Sequence, residues 1–66
     1  MNSSLLTARE VAALTGVPVS TLHEWAHRRE SGDLDAPGPA FLSLSPRHRR
    51  YERRAVETWL RQAKRG

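Results

Sequence analysis

The apolar positions along the chain change period twice, from helical spacing to strand alternation and back, and each period predicts its own kind of element. In TAREVAALTG, Ala8, Val11, Ala12 and Thr15 recur at the spacing of one helical face, with Leu14 beside it. Thr7 and Glu10 make the T-x-x-E pattern of a capping box, Leu6 and Val11 stand at the staple positions, and Gly16 supplies the stop. The residues before them, MNSSL, read as a short loose N-terminus. A second helix is predicted through VSTLHEWAHRRE, entered at Pro18, whose missing N–H costs nothing in a first turn, and ended at Ser31-Gly32. The loop SGDLDAPGPA follows. In AFLSLS, Leu42 and Leu44 alternate with Ser43 and Ser45, as in a half-buried strand that points its leucines inward. SPRHR is a basic turn, and RYE reads as a return strand with Tyr51 inward, which makes a β-hairpin with a basic tip. Val56, Trp59, Leu60 and Ala63 then form the apolar stripe of a third helix. Lys64 and Arg65 suit that helix's C-terminal dipole, whereas Arg53 and Arg54 at its start do not, and it has no good N-cap. Two helices joined by a few residues, the first ending at glycine, are a helix-turn-helix candidate.

Composition narrows the functional classes. The chain has 66 residues and no cysteine, so disulfides, thiolate metal sites and thiol nucleophiles are excluded. A single domain spanning 1–66 is expected, one able to bury only about 60% of its unfolded surface. Nothing resembles a signal peptide or a membrane span, so the expectation is a cytoplasmic protein with no membrane partner. Charge adds direction. There are 11 Lys and Arg against 7 Asp and Glu, and ten of the eleven cations are Arg. Residues 1–46 hold Arg9, Arg28 and Arg29 against Glu10, Glu24, Glu30, Asp33 and Asp35, a net −2. Residues 47–66 hold seven Arg and Lys64 against Glu52 and Glu57, a net +6. A cationic region clustered in this way fits a polyanionic partner.

One stretch suggests chemistry instead. His23-Glu24-Trp25-Ala26-His27 has the H-E-x-x-H spacing that puts two imidazoles on one zinc ion, with the glutamate as general base. The helical wheel argues against that use. At about 100° per residue, with Leu22 at zero, Trp25 lies near 300°, Ala26 near 40° and Arg29 near 340°, which is the inward stripe. Ser20, His23, Glu24, His27 and Arg28 fall between roughly 100° and 240°, on the outer face. A catalytic zinc helix lines a cleft and needs a third protein ligand, and beyond this pair only His48 and scattered carboxylates are available. The expectation is no enzyme, no metal and no cofactor.

An outward strip of this kind is what a recognition helix presents to the major groove. Ser20 and Thr21 can bond phosphate or base, Glu24 can accept from a cytosine amino group, and Arg28 can pair with guanine or phosphate. His23 and His27 can donate to phosphates.

The segments LTAREVAALTGVPVSTLHEW and LSLSPRHRRYERRAVETWL together resemble the small winged helix-turn-helix proteins of the MerR superfamily, especially phage excisionases, also called recombination directionality factors. The resemblance covers most of residues 5–62. It implies an α+β fold of two helices, a β-hairpin wing and a third helix. It also implies that Ser20 and Glu24 read bases, that Thr21, His23, His27 and Arg28 contact phosphates or the groove edge, and that Arg47, His48 and Arg49 form a wing tip in the adjacent minor groove, with Arg50 on the flanking phosphate. Leu22, Trp25, Tyr51 and Trp59 match core positions. Two departures bear on geometry: Pro18 and Val19 replace the usual polar capping residues, and the loop 31–39 is long and acidic. The arginine-rich, lysine-poor composition fits a GC-rich host, hence a phage of an actinobacterium such as a mycobacteriophage, acting at the nucleoid of its bacterial host.

The chain ends about one helix after the wing, so the long dimerisation helix and effector domain of a MerR-type regulator are not expected. The resemblance therefore implies a protein that fills repeated sites on double-stranded DNA with further copies of itself, bends the DNA, and directs a phage integrase toward excision. A small AlpA-like transcriptional regulator, a small-terminase-type packaging domain and a protein-interaction module that never touches DNA remain alternatives.

Overall fold

The computed structural model describes residues 5–45 and 48–63. In chain order these form β1 (Leu5–Leu6), α1 (Ala8–Thr15), α2 (Val19–Glu30), β2 (Phe41–Ser45), β3 (His48–Glu52) and α3 (Arg53–Ala63). This is the expected α+β arrangement of helix-turn-helix, β-hairpin and third helix, with one strand more than the sequence suggested.

The capping box forms in full. Glu10 N–H donates to Thr7 Oγ1 at 3.1 Å, and Thr7 N–H donates to Glu10 Oε1 at 2.8 Å. Such a cap is worth about 1 kcal/mol to a helix of only two turns. Gly16 ends α1 at φ +81°, its N–H donating to Ala12 O at 2.8 Å, a conformation that a β-carbon would strain. Thr15 then ties the turn together. Its hydroxyl donates to Val11 O at 2.8 Å and accepts from Val17 N–H at 3.1 Å. Pro18 proves to be the N-cap of α2, one residue before the first helical position, and it makes no side-chain capping bond. Its carbonyl accepts from Leu22 N–H at 3.1 Å, so the helix starts without a polar side chain.

The sheet order is β1-β3-β2, antiparallel throughout. Leu6 pairs with Tyr51 and Phe41 pairs with Tyr51 from the other side, which sets three large side chains on one face. The core is Leu6, Val11, Leu22, Tyr51 and Val56, with Ala8, Ala12, Val17, Trp25 and Phe41 packed around it. Each fully buried large side chain contributes about 1.5–3 kcal/mol. Tyr51 and Leu22 take the inward positions expected of them. Of the α3 stripe, Val56 is buried, Trp59 and Leu60 are half-buried and Ala63 is exposed.

The face of β2 is the reverse of the one its alternation predicts. Leu42 and Leu44 are 44% and 62% exposed, while Phe41 and Ser43 share the face of Tyr51 and Arg49. The physical reason lies across from Ser43. There the hairpin face that carries Phe41 and Tyr51 meets the Arg49–Glu30 ion pair at the surface rather than an apolar core, so Ser43 lies on that face while remaining exposed, and the leucines fall on the opposite one. An irregularity between Ser43 and Ser45 then shifts the register toward the tip.

The 31–40 loop is pinned rather than loose. Arg29, on the inward stripe of α2, donates from Nη2 to Ala36 O at 2.6 Å and Gly38 O at 3.3 Å. Ala36 is buried, and Gly38 lies against the face of Trp25, which packs on Trp59 with 6.1 Å between ring centroids. Trp25 thus couples α2 to α3.

Candidate nucleic-acid interface

The outer face of α2 carries Ser20, His23, Glu24, His27 and Arg28, all exposed, with Thr21 half-buried beside them. They share one face because α2 buries Leu22 and Ala26 on the other, as the wheel predicts. Both histidines of H-E-x-x-H therefore point away from the core. Among the described residues no group of three or more His, Asp or Glu side chains is placed to hold a metal ion. A cleft bordered by Gly38, Pro39, Ala55, Thr58 and Trp59 among others includes none of this strip.

Arg28 is engaged within its own polypeptide segment. Its Nη2 and Nε donate to Asp33 Oδ2 at 2.8 and 3.1 Å, where the chain turns out of α2. Both partners remain substantially exposed, at 46% and 37%. The Arg28 hydrogen bond, then the Asp35 N–H, hold the Asp33 carboxyl below its usual range.

Arg49 occupies a different setting from the wing tip. It lies within β3 and turns back toward the end of α2, donating from Nη2 to Glu30 Oε1 at 2.7 Å and from Nε to Glu30 Oε2 at 3.0 Å. Its guanidinium sits 6.0 Å from the Phe41 ring centre, and Nη1 comes within 3.5 Å of His23 Nδ1. The Arg49 side chain is 14% exposed and that of Glu30 31%. The fork from Arg49, with Ser43 as a lesser contributor, lowers the Glu30 carboxyl to about 2, and Glu30 in turn raises Arg49.

The other wing residues are placed as follows. His48 begins β3 and is exposed, its Nδ1 sharing a 2.6 Å hydrogen bond with Ser45 Oγ. Arg50 sits opposite Leu42 on the outer face of the sheet, half-buried, with Nη1 donating to Arg49 O at 2.9 Å. Arg47 lies outside the described residues.

Glu30 is the residue of this surface that sequence reasoning missed. Its signal was present in the wheel. Seven residues after His23, it falls only about 20° from that histidine, at the inner edge of the outer strip. What no local pattern reveals is that its partner arrives from β3, 19 residues later.

No helix among the described residues is long and apolar enough to cross a membrane. A family model described as a helix-turn-helix domain matches residues 5–64. No curated protein matches the chain, and no solved structure does.

Proposed function

The chain belongs to the helix-turn-helix domain family, whose members bind DNA, and from that premise we propose that it is an excisionase-type architectural factor. In this reading α2 enters the major groove and the hairpin reaches the adjacent minor groove. Ser20 and Glu24 face base edges, Thr21, His23, His27 and Arg28 meet phosphates or the groove edge, and Arg47, His48 and Arg50 contact DNA from the wing. The observation that carries the reading is the outward strip of α2, which is polar from Ser20 to Arg28 and stands beside a cationic hairpin. The family is one that includes excisionase-like proteins, and its members are typically not enzymes.

A single module of this size buries only about 600–1,000 Å² of its own surface on DNA, too little for high specificity by itself. Occupancy then rests on neighbouring copies along the DNA and on a recruited partner, which for an excisionase is a phage integrase. Bending by phosphate and minor-groove contacts lets that partner assemble.

The AlpA-like side of the same family supports a second reading, a small transcriptional regulator. A gel-shift titration on the recombination site next to the gene, with circularly permuted probes and a parallel excision assay, separates the two. Stepwise shifts whose mobility depends on site position, with excision stimulated, support the excisionase. A single unbent complex, no effect on excision and a footprint over a promoter support the regulator.

A further inference from the structure

We propose that Glu30 and Arg49 are a positioning pair: Arg49 locks the wing to the end of the recognition helix and so sets the angle at which the two enter neighbouring grooves, rather than contacting DNA itself. The inference rests on the two-groove reading above and assigns this arginine a different task from the one its place in a basic hairpin suggests.

Leu22 of α2 and Tyr51 of β3 meet in the core, and at the surface the packing leaves the end of the helix and the hairpin to be joined by side chains. α2 packs mainly on α1, whereas β3 packs on β1, α1 and α3, so recognition helix and wing are joined to a common scaffold more than to each other. Between them, the Arg49 fork is the ion pair that the described residues provide; the other, Arg28–Asp33, is local to the end of α2. Two N–H donors meet two carboxylate oxygens, a fork–fork geometry that fixes orientation as well as distance. The Phe41 ring backs the guanidinium, and His23 Nδ1 stands at its third nitrogen, tying the pair to the strip that faces the groove. An ammonium lacks the planar fork, so lysine does not reproduce this contact.

Electrostatics points the same way. Were Arg49 to swing out to a phosphate, the Glu30 carboxylate would be left beside DNA without its counter-charge. Kept in place, Arg49 is already neutralised and releases no counterion on binding. That difference gives the two roles opposite signatures. Removing a carboxylate near DNA ordinarily strengthens binding, and removing a phosphate-contacting arginine lowers the salt slope by about 0.9.

The test uses duplexes selected from random-sequence DNA by the wild-type chain, with an unselected duplex as control. Wild type, Glu30→Gln, Arg49→Lys, Arg49→Ala and the Glu30→Gln/Arg49→Ala double variant are titrated at several salt concentrations. Circular dichroism establishes that each is folded, and Glu30→Gln and Arg49→Lys are conservative enough to carry the test if Arg49→Ala is not. A positioning pair predicts that Glu30→Gln and Arg49→Lys each lose about tenfold in affinity for the selected duplex, the equivalent of one base contact. Their salt slopes stay at the wild-type value, the double variant is no worse than either single one, and hydroxyl-radical protection at the wing's groove is lost while that under α2 persists. Tighter binding by Glu30→Gln, or a salt slope reduced by about one in Arg49→Ala, overturns the proposal in favour of a direct phosphate contact. If the wild-type chain selects no duplex, or protects one groove only, the two-groove reading itself fails, and the pair's role on DNA with it.

Discussion

Replacing Gly38 with alanine is a severe test of how the loop holds α2. Gly38 has φ +108°, and a β-carbon built there would lie 2.9 Å from Cε3 of Trp25. The backbone conformation alone costs an alanine about 1–2 kcal/mol. The close approach adds about 1–3 kcal/mol of overpacking, because neither side is free to yield. Trp25 is held against Trp59, and the loop is held down by the bonds from Arg29 to Ala36 O and Gly38 O. The total of about 2–5 kcal/mol is large against the roughly 3–10 kcal/mol expected of 66 residues. Gly16→Ala is the internal control. Gly16 also has positive φ, at +81°, but nothing lies within 4 Å of its β-carbon position, so only the backbone cost of about 1–2 kcal/mol applies. In thermal unfolding followed by circular dichroism, each kcal/mol lowers Tm by about 4–8 °C for a domain of this size. Gly38→Ala should therefore fall below Gly16→Ala by at least one such step. Equal losses in the two variants would show that Trp25 does not close over Gly38, and with that the loop's grip on α2 would have to be abandoned.

Three other expectations follow from the geometry. Glu24→Ala should relax base preference at one position of selected duplexes, with a smaller change on unselected DNA; a uniform change on both would place Glu24 off the base edges. The Glu30 carboxyl falls from 4.5 to about 2 on folding, so between those values the unfolded chain binds more protons, and stability rises with pH through that window and is retained above it. Denaturant titrations of wild type and Glu30→Gln should accordingly converge as the pH drops from 4.5 toward 2, whereas a constant difference would mean that the pair contributes nothing to stability. Leu44→Ala should leave stability within about 0.5 kcal/mol, because Leu44 is 62% exposed, while Leu22→Ala, at 1% exposure, should cost about 2–5 kcal/mol. A comparable loss at Leu44 would restore the inward strand face that the alternation suggests.

The helices were legible because their information is local and redundant. Thr7 and Glu10 mark one start, Gly16 marks one stop, and a period of about 100° per residue separates Leu22 and Ala26 from His23 and His27 without reference to anything else. The strands carried less. β1 is two residues long, too short to show alternation, and Leu6 reads equally well as the staple of α1. It becomes a strand only because Tyr51 lies opposite. In β2 the alternation was real, but its phase depended on what the inner face meets. Apolar residues point inward where they meet an apolar core; beside Ser43 that face of the hairpin meets the surface Arg49–Glu30 fork instead. The candidate strip on α2 was thus readable from one helix, whereas the state of each charge on it required the partner segments.

Those partners divide arginines that look equivalent in the sequence. Arg28 and Arg49 each bond a carboxylate, and counted as residues both belong to the cationic surface that the proposed function turns toward DNA. Their ion pairs differ in how readily phosphate can replace the acid. Arg28 meets a single oxygen of Asp33 with both partners well exposed, a contact worth about 0–1 kcal/mol, and Asp33 keeps its Asp35 N–H bond when Arg28 leaves. A phosphate can take that arginine at little cost. Arg49 is largely covered, engages both oxygens of Glu30, and on leaving would strip that carboxylate of its main hydrogen-bond donor. In the proposed DNA-bound arrangement, the net +6 of residues 47–66 therefore overstates the pull of the hairpin and third helix by one charge, which is paired within the protein with Glu30. If Glu30 and Arg49 act as the proposed positioning pair, electrostatic attraction and the angle between helix and wing are separable properties, carried by different arginines.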